Sequence, residues 1–596
     1  MHRNTLIFSL FLALQPGVNL SAQEVPPAES AVLDTIIVTA TRSEIALRDA
    51  TVPVTVIGRE QIEQSLASDL AELLRFEAGL DIARNGGPGQ ATSLFLRGTD
   101  SNHTLVLIDG VRINPGTIGG APIQHIAPEL VERVEIVKGA RSALYGTDAI
   151  GGVVNIITRQ PAKSRIEATL GGGSFNTRSG FINGSIAGIA GELGATANWN
   201  VTDGYAIRTD SDIERGYENL SLNLYGRRHI GSANVTLRHW QTAGNVEYLD
   251  FFLSPLDQDF TNQSTSFELR NDVGETGHSK LLLSYFIDEI EQNQSDDFVK
   301  STRLALDWQY NIDFIHHKLA GGVYLVDENA RSLSFGSGFD ADTDQQAVFL
   351  QDQFSYDRHN VFLAVRLTDH KAFGDKVSWN AEYALDFNDQ WTLNAGLGHA
   401  YRAPDATDRF GFGGNVDLRP EVADEYQLGA SFRPTLKQTV RLQLYRNDIR
   451  DLIEFSFPDF TAENIGKAEI RGTQLSYELQ GDKFTVRADL LRQTAENAIT
   501  GERLLRRPEE SLTLSYTQQL GAHRLGVSVL ASGDREDFAT SLPGYLLVNL
   551  TGQLQIGRTW QFNARIENVL DTEYQTADPF RMQERSGFVE LKYGWE

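Results

Sequence analysis

The feature of this sequence that most limits its fold is a two-residue alternation of apolar and polar side chains through the last three quarters of the chain. In the segment 560–567 every second residue, from Trp560 to Ile566, is apolar and the residues between them are polar. The same pattern occurs at 233–238, 391–397 and 440–445. Successive side chains of a β-strand point to opposite faces, so this period indicates strands with one apolar and one polar face.

A soluble β-sandwich and a membrane β-barrel both produce such alternation. Here the polar face is charged in one predicted strand after another, which suits a water-filled lumen. Aromatic residues also recur near the predicted strand ends, as in the interfacial girdles of membrane barrels: Trp391, Tyr401, Tyr445, Trp560, Tyr593 and Trp595. We therefore favour an all-β transmembrane barrel. At about 20 residues per strand with its connection, residues 161–596 predict about 22 antiparallel strands.

The first 22 residues predict export from the cytoplasm. They begin with His2 and Arg3, continue with an apolar stretch at 6–14, and end in Leu20-Ser21-Ala22. A basic N-terminal region, a short apolar centre and a small residue at the cleavage site are typical of a secretory signal peptide. We expect cleavage after Ala22. No later run of 18 uncharged apolar residues occurs, which excludes a helical membrane protein.

Composition and motifs exclude several other classes of protein. The formal net charge of −26 argues against a nucleic-acid partner, whose phosphates require a basic surface. The absence of cysteine excludes disulfides, thiol nucleophiles and cysteine-ligated metals. We find no GxxxxGK[ST] or HExxH motif and no nucleophile–base–acid set, so we expect neither an enzyme nor a required cofactor.

Residues 46–160 have a different character and predict a separate small α+β domain ahead of the barrel. Apolar residues at helical spacing predict an amphipathic helix within 59–76. Short apolar runs follow at 105–108, 134–137 and 153–157, separated by glycine-rich joints. A barrel of about 22 strands has a wide lumen, which this domain would fill as a plug.

Motifs in both regions resemble those of the TonB-dependent outer-membrane receptors. The plug motifs are Phe95-Leu96-Arg97-Gly98, Leu107-Ile108-Asp109-Gly110-Val111 and the segment 151–156, and the barrel motifs are Tyr401-Arg402-Ala403-Pro404 with Pro420-Glu421 and the segment 567–574. The stretches 34–42, 85–90, 141–158 and 504–507 are most similar to the cobalamin receptors of that family. The resemblance implies a monomer in the lipid of the bacterial outer membrane. It divides the chain into a signal peptide (1–22), a periplasmic segment (23–45), a plug (46–160) and a barrel (161–596).

The resemblance also implies that the inner-membrane TonB complex drives import and that 34–42 is the TonB box. The core of the box is Asp34, Thr35, Ile36, Ile37, Val38, Thr39 and Ala40. A short β-branched segment of this kind can add as a strand to the sheet edge of another protein. The same residues could instead form the first strand of the plug. Cobalamin is the leading cargo, and a ferric siderophore or haem remains the alternative.

Cargo contacts are expected at the outward tips of the plug and on the barrel wall. By the resemblance these are Ala91, Thr92, Ser93, Asp100, Ile118 and Gly119 on the plug, and Arg506 and Arg507 on the barrel. From the sequence alone, ordinary turn chemistry is the stronger explanation of the plug tips, and lumen charge is the alternative for the arginines. Outer-loop aspartates could hold a structural calcium, as cobalamin receptors do: Asp210, Asp212, Asp250, Asp257 and Asp259.

Overall fold

The computed structural model describes residues 36–37, 39–161, 163–334, 336–456, 460–538 and 540–595. The predicted signal peptide and three residues of the predicted TonB box, Asp34, Thr35 and Val38, lie outside the described residues. No helix in the described ranges has both the length and the apolarity needed to cross a membrane.

The first part of the chain forms a small α+β domain around a mixed five-stranded sheet. Its strands are β1 (Ile36–Ile37), β2 (Ile45–Ala46), β3 (Val54–Gly58), β4 (Leu80–Arg84), β5 (Thr92–Leu96), β6 (Thr104–Ile108), β7 (Val111–Arg112), β8 (Val131–Lys138) and β9 (Gly152–Thr158). Its helices are α1 (Arg59–Ser65), α2 (Leu70–Leu74) and α3 (Ser142–Tyr145), with single 3₁₀ turns at Leu47–Asp49, Ser101–His103, Ile123–His125 and Pro128–Leu130. The sheet order is β3-β8-β9-β6-β7, and β4 pairs with β5 in a separate hairpin. The apolar runs predicted from sequence are the buried strands β6, β8 and β9.

The prediction of one amphipathic helix within 59–76 is wrong in detail, because the structure has two short helices there. Leu66 ends α1 with a φ of 52°, a left-handed conformation that a helix cannot continue through. Asp69 then caps α2, since its Oδ1 accepts a hydrogen bond from the Glu72 backbone N–H at 2.9 Å. The apolar residues at the predicted positions Ile62, Leu70 and Leu73 are nevertheless buried.

The remainder of the chain forms a closed antiparallel barrel of 22 strands, as predicted. The barrel strands are β10 (Arg165–Gly173), β11 (Thr177–Gly188), β12 (Gly191–Ala206), β13 (Glu214–Ile230), β14 (Ala233–Leu249), β15 (Pro255–Val273), β16 (Gly277–Gln292), β17 (Phe298–Asp313), β18 (His317–Ser334), β19 (Ser337–Tyr356), β20 (His359–His370), β21 (Gly374–Asp386), β22 (Trp391–Arg402), β23 (Glu421–Thr435), β24 (Gln438–Ser456), β25 (Thr461–Gln480), β26 (Phe484–Asn497), β27 (Glu510–Leu520), β28 (His523–Ser532), β31 (Tyr545–Ile556), β32 (Trp560–Glu567) and β33 (Ser586–Trp595). A short hairpin of β29 (Arg535–Glu536) and β30 (Ser541–Leu542) and one helix, α4 (Ala406–Phe410), lie in the connections. Pairing of β10 with β33 closes the barrel, which leaves it without an unpaired edge.

The two ends of the barrel differ in the length of their connections. At the end where β10 begins and β33 finishes, neighbouring strands are joined by tight turns such as 189–190 and 231–232. At the opposite end most connections are longer, the longest being 403–420, 498–509, 533–544 and 568–585. We refer to these as the short-turn end and the long-loop end.

The alternation seen in the sequence separates the two faces of the barrel wall. Apolar side chains such as Leu397, Leu428 and Leu444 are exposed on the outward face, while polar residues such as Gln427 and Gln443 are buried inside. Trp391 stacks on Phe432 with ring centroids 4.5 Å apart, and Trp560 packs beside Tyr593 at 4.9 Å. These pairs lie at the short-turn ends of their strands, as expected for an interfacial girdle.

The assignment to the girdle is wrong for two of the predicted aromatic residues. Tyr401 and Tyr445 are buried and face the lumen. The Tyr445 hydroxyl donates a hydrogen bond to Gln493 Oε1 at 3.0 Å, and the guanidinium of Arg97 in the plug lies over its ring. A tyrosine offers both an apolar ring and a polar hydroxyl, so its presence in an alternating segment does not determine the face.

The α+β domain lies in the barrel lumen and contacts the wall through both apolar clusters and charged groups. Ion pairs join Arg42 to Asp307, Arg97 to Glu425, Asp109 to Arg238, Arg141 to Glu382 and Glu63 to Lys592. A buried ion pair contributes little net stability because each ion loses its hydration. These contacts therefore position the plug in the lumen at a modest net energy.

Candidate functional site

The candidate cargo site is the long-loop end of the plug, where two plug loops meet the barrel wall. The tip of the β4–β5 hairpin lies against the wall, because a Cβ added to Gly89 would lie 2.2 Å from the Tyr217 ring. Gln90 Nε2 also donates to the Glu247 carbonyl at 2.7 Å. Of the residues predicted here, Ala91 is exposed, and Thr92 and Ser93 are half-buried at the start of β5.

The second plug loop presents an apolar side chain at this end. Ile118 is 49% exposed, which is unusual for a large apolar residue in a domain enclosed by a barrel. The Asn114 side chain orders the loop, donating to the carbonyls of Thr104 at 2.9 Å and Gly119 at 2.8 Å. Gly119 has a φ of 68°, and a Cβ there would lie 2.9 Å from that of Asn102, so both conformation and space require glycine.

The two predicted barrel arginines are already engaged by carboxylates. Arg507 forms an ion pair with Asp100 of the plug, and its Nε donates to the Gly98 carbonyl at 2.9 Å. Arg506 Nε lies 3.0 Å and 3.1 Å from the two carboxylate oxygens of Asp537. Asp100 and Arg507 were predicted as separate contacts, and the structure brings them together.

A network that the sequence analysis did not assign joins the 403–420 loop of the barrel to the plug. Arg402 at the end of β22 contacts Glu421 Oε2 at 2.9 Å, Asp405 Oδ2 at 2.7 Å and Asp408 Oδ2 at 2.9 Å. His103 Nε2 of the plug lies 2.9 Å from the same oxygen of Glu421. Arg402 and Glu421 belong to the barrel motif noted in the sequence, and that motif was the available signal.

The first turn of α4 binds the second plug loop directly. The backbone N–H groups of Ala406 and Thr407 donate to the carbonyls of Gly116 and Thr117 at 3.0 Å and 2.9 Å. Burial and the neighbouring Asp408 carboxylate raise the pKa of Asp405 well above its ordinary value. Two backbone hydrogen bonds therefore join the 403–420 loop to the Ile118 loop.

A small polar cavity of about 50 Å³ lies between this loop, the plug and the wall. Its lining includes Arg112, Asp148, Glu328, His370 and Arg409. The Nε atoms of Arg112 and Arg409 are buried there without a hydrogen-bond partner, and the Arg409 guanidinium lies over the rings of Phe373 and Phe410. Its size suits one or two water molecules, which would satisfy such atoms.

The aspartates predicted to hold calcium do not form one group. Asp210 is bound by Arg208, whose Nε and Nη2 donate at 2.8 Å and which lowers its pKa. Asp250 Oδ1 accepts from the backbone N–H groups of Phe252 and Ser254, within its own turn. Asp257 and Asp259 lie within β15 and accept hydrogen bonds from Asn245, and Asp212 is exposed in the 207–213 connection.

Calcium takes six to eight oxygen ligands. In the ranges that the structure describes, no three His, Asp or Glu side chains are grouped to hold a metal. These aspartates, as arranged here, do not fit a calcium ion, and its binding stays a prediction.

At the other end of the plug, the described part of the predicted TonB box packs against the plug sheet. β1 pairs antiparallel with β2, and Ile37 is fully buried. The backbone N–H and Oγ1 of Thr39 donate to Glu135 Oε2 at 3.0 Å and 2.6 Å. The Tyr145 hydroxyl donates to the Thr39 carbonyl at 3.1 Å, and Asn155 Nδ2 donates to Thr39 Oγ1 at 3.1 Å. Glu135 and Asn155 lie on β8 and β9, which are adjacent in the sheet.

Both domains match known protein families, and the whole chain is similar to known proteins. Residues 46–153 match the TonB-dependent receptor plug domain, and residues 161–569 match the TonB-dependent receptor-like β-barrel. The chain is 28% identical to the vitamin B12 transporter BtuB of Photobacterium profundum, over 94% of this chain and 95% of that protein. It is 29% identical to the vitamin B12 transporter BtuB of Vibrio vulnificus, over 97% of this chain and 96% of that protein.

Among solved structures, the siderophore receptor PirA from Acinetobacter baumannii has the same fold. The TM-score is 0.79 at 19% identity, over 91% of this chain and 98% of that chain. At this identity the likeness concerns the fold alone. The two family matches, the closed barrel and the domain in its lumen together establish that the chain belongs to the TonB-dependent receptors, a family of outer-membrane transporters rather than enzymes.

Proposed function

We propose that this TonB-dependent transporter imports cobalamin across the bacterial outer membrane. The observation that carries the proposal is the similarity to two proteins named vitamin B12 transporters over nearly the whole chain. In transmembrane barrels the turns are short on the periplasmic side and the loops longer on the outside. On this proposal the long-loop end faces outward, and cargo meets the exposed Ile118 there.

The electrostatics of the long-loop end support a cargo of low net charge. Five arginines of this region lie beside carboxylates: Arg208 with Asp210, Arg402 with Asp405 and Glu421, Arg503 with Asp534, Arg506 with Asp537, and Arg507 with Asp100. A multiply anionic ferric chelate gains most from guanidinium groups that are not already neutralised. The observed pairing therefore favours cobalamin over such a siderophore.

The histidines nearest the plug tips do not suit haem. His103 is fully buried and lies 2.9 Å from Glu421. His125 stacks on Phe260 with centroids 3.7 Å apart, and burial lowers its pKa to about 3. An axial ligand to haem needs a ring nitrogen that the iron can approach. Neither ring is accessible to cargo above the plug.

On this proposal TonB binds the segment Asp34–Ala40 by adding it as a strand to its own sheet. The pairing of β1 with β2 supports the strand-forming capacity of this stretch. Because Thr39 is bonded to β8 and β9, a pull on the segment acts first on two adjacent strands of the plug sheet. The outer membrane has no nucleotide supply, so the energy enters mechanically.

Titration of the detergent-purified protein with cyanocobalamin tests the proposal. It should be run with added calcium and with chelator, beside a ferric catecholate siderophore. We expect tight binding of cyanocobalamin and none of the siderophore. Loss of binding in chelator would support the predicted calcium. Binding of the siderophore in place of cyanocobalamin would retain the transporter and refute cobalamin as its cargo.

A further inference from the structure

Arg409 of α4 is a cation of the long-loop end that no carboxylate neutralises. In the part of the chain that the structure describes, no carboxylate forms an ion pair with its guanidinium, and none of its side-chain N–H groups donates a hydrogen bond. Its Nε is buried, but the residue as a whole is only half-buried, so the terminal nitrogens remain open to solvent. Arg409 therefore keeps its charge and its terminal N–H donors for a ligand.

The acidic groups closest to Arg409 are held elsewhere. The carboxylates that line the polar cavity beside it are each bound by another arginine: Asp148 by Arg112, Glu328 by Arg303 and Asp405 by Arg402. Arg303 and Arg402 are almost completely buried. Transfer of their carboxylates to Arg409 would leave a buried cation without its partner, which is strongly unfavourable. The anion that Arg409 can bind must therefore come from outside the protein.

Two aromatic rings fix the position of this guanidinium. It lies 5.0 Å from the ring centroid of Phe373 and 4.5 Å from that of Phe410. Phe373 belongs to the connection between β20 and β21, and Phe410 packs beside Phe339 of β19 with centroids 6.2 Å apart. Contact with an aromatic face attracts a cation without removing its charge. Because the side chain is already oriented, it loses little conformational entropy when an anion binds.

Arg409 lies beside the second plug loop. Gly116 and Gly119 of that loop line the same cavity of about 50 Å³ as Arg409. Gly119 directly follows Ile118, the apolar residue exposed at this end of the plug. A cavity that holds one or two water molecules is only a few ångströms wide. The guanidinium is therefore close to the surface where the proposed function places the cargo.

We propose that Arg409 binds the phosphodiester of cobalamin, an inference that rests on the proposed function. Cobalamin has one phosphodiester, which links its nucleotide to the corrin and carries a single negative charge at neutral pH. The amide side chains around the corrin are neutral. A guanidinium presents parallel N–H donors that match two oxygens of a phosphate. Arg409 thereby distinguishes complete cobalamin from corrinoids that lack the nucleotide.

Equilibrium binding of cyanocobalamin and of dicyanocobinamide to the detergent-purified protein tests the proposal. Dicyanocobinamide has the same corrin but lacks the nucleotide and its phosphodiester. Arg409→Gln should weaken cyanocobalamin binding about tenfold and leave dicyanocobinamide binding unchanged, and Arg409→Lys, which keeps the charge, should lose less. Arg419→Gln is the matched control, since Arg419 lies on the same loop but is bound by Asp451 at 2.6 Å. It should bind both corrinoids as the unaltered protein does.

The phosphorus NMR resonance of bound cyanocobalamin gives a second measurement, at the phosphodiester itself. It should shift in Arg409→Gln and stay in place in Arg419→Gln. An unshifted resonance, an unchanged affinity of Arg409→Gln for cyanocobalamin, or an equal loss of affinity for both corrinoids would overturn the inference and leave the proposed function standing. Failure of the unaltered protein to bind cyanocobalamin would instead refute the proposed function, and this inference with it.

Discussion

At the scale of single residues, many buried charged groups of this protein contact groups of opposite charge. A buried carboxylate without such a contact marks a position where stability should depend on pH. Arg402 illustrates the rule, since three carboxylates neutralise a guanidinium that is 1% exposed. Glu129 illustrates the exception, because its Oε2 is buried without a hydrogen-bond partner. Burial and the nearby Glu590 carboxylate raise the pKa of Glu129 to about 7.

Glu129→Gln should stabilise the plug at alkaline pH. A folded-state pKa raised from 4.5 to about 7 gives a stabilising contribution that is present below pH 4.5 and lost as the pH rises through 7. Glutamine stays neutral at every pH. At pH 8 the variant should therefore exceed the unaltered protein in local stability by about 1 to 3 kcal/mol, and at pH 4.5 the two proteins should be equally stable. Hydrogen exchange of the amides in 128–138, compared at each pH, measures this. Glu132→Gln is the control, and an equal gain at both pH values would contradict the assignment.

Ile118→Glu should weaken cobalamin binding about tenfold or more, because cargo would have to desolvate the new carboxylate. Equilibrium binding of cyanocobalamin to the purified variant measures the effect. Ile189→Glu makes the same substitution in a fully exposed turn at the short-turn end and should bind as the unaltered protein does. Unchanged affinity of Ile118→Glu would show that cargo does not contact the second plug loop.

At the scale of elements, two segments connect the ends of the plug to their surroundings. The 403–420 loop is fixed to the second plug loop by backbone hydrogen bonds from α4, and the segment 39–42 is fixed to β8, β9 and the barrel wall. Both lie outside the five-stranded plug sheet. Local opening of such elements costs less than unfolding of the sheet between them.

Deletion of Asp34–Ala40 should leave cyanocobalamin binding intact and abolish uptake. The described residues of this stretch lie away from the long-loop end, whereas a strand that TonB can add to its sheet would be lost. Binding to purified protein and uptake by whole cells are measured in parallel. Deletion of 24–30 shortens the chain equally and should not affect uptake. Normal uptake without Asp34–Ala40 would exclude this segment as the TonB contact.

At the scale of the whole molecule, a closed barrel encloses a small α+β domain. The barrel closes by backbone pairing of β10 with β33, which involves no plug residue. Plug and wall meet through apolar clusters and through ion pairs and hydrogen bonds, and water can replace the polar contacts at modest cost. The wall can therefore stay intact while the plug moves or rearranges within it.

A disulfide between plug and barrel should block transport and leave binding intact. The chain has no cysteine, so Gly98→Cys with Ala495→Cys introduces a single pair. A Cβ at Gly98 lies 3.4 Å from that of Ala495, close to disulfide geometry, although the φ of 76° there costs about 1–2 kcal/mol. Uptake should be lost on oxidation and restored by reductant, and each single-cysteine variant is the control. Full uptake by the oxidised protein would show that transport needs no plug movement at this contact.

The local pattern of the sequence determined the elements of the structure. Alternation predicted the strands and the apolar runs predicted β6, β8 and β9, because periodicity reports which faces a strand must bury. The length of 161–596 predicted the number of barrel strands. The receptor motifs predicted the family to which the chain belongs. The same local pattern did not reveal the break at Leu66, where one residue in a left-handed conformation interrupts an otherwise continuous helical periodicity.

The tertiary structure alone decided which distant residues meet. Asp100 and Arg507, and His103 and Glu421, are hundreds of positions apart and meet because barrel closure fixes the register of every strand around the plug. The same register turned Tyr401 and Tyr445 into the lumen. Periodicity is a property of neighbouring residues, whereas charge pairing depends on the arrangement of whole strands. The sequence by itself therefore specified the barrel and plug, and only the fold specified the contacts at its candidate sites.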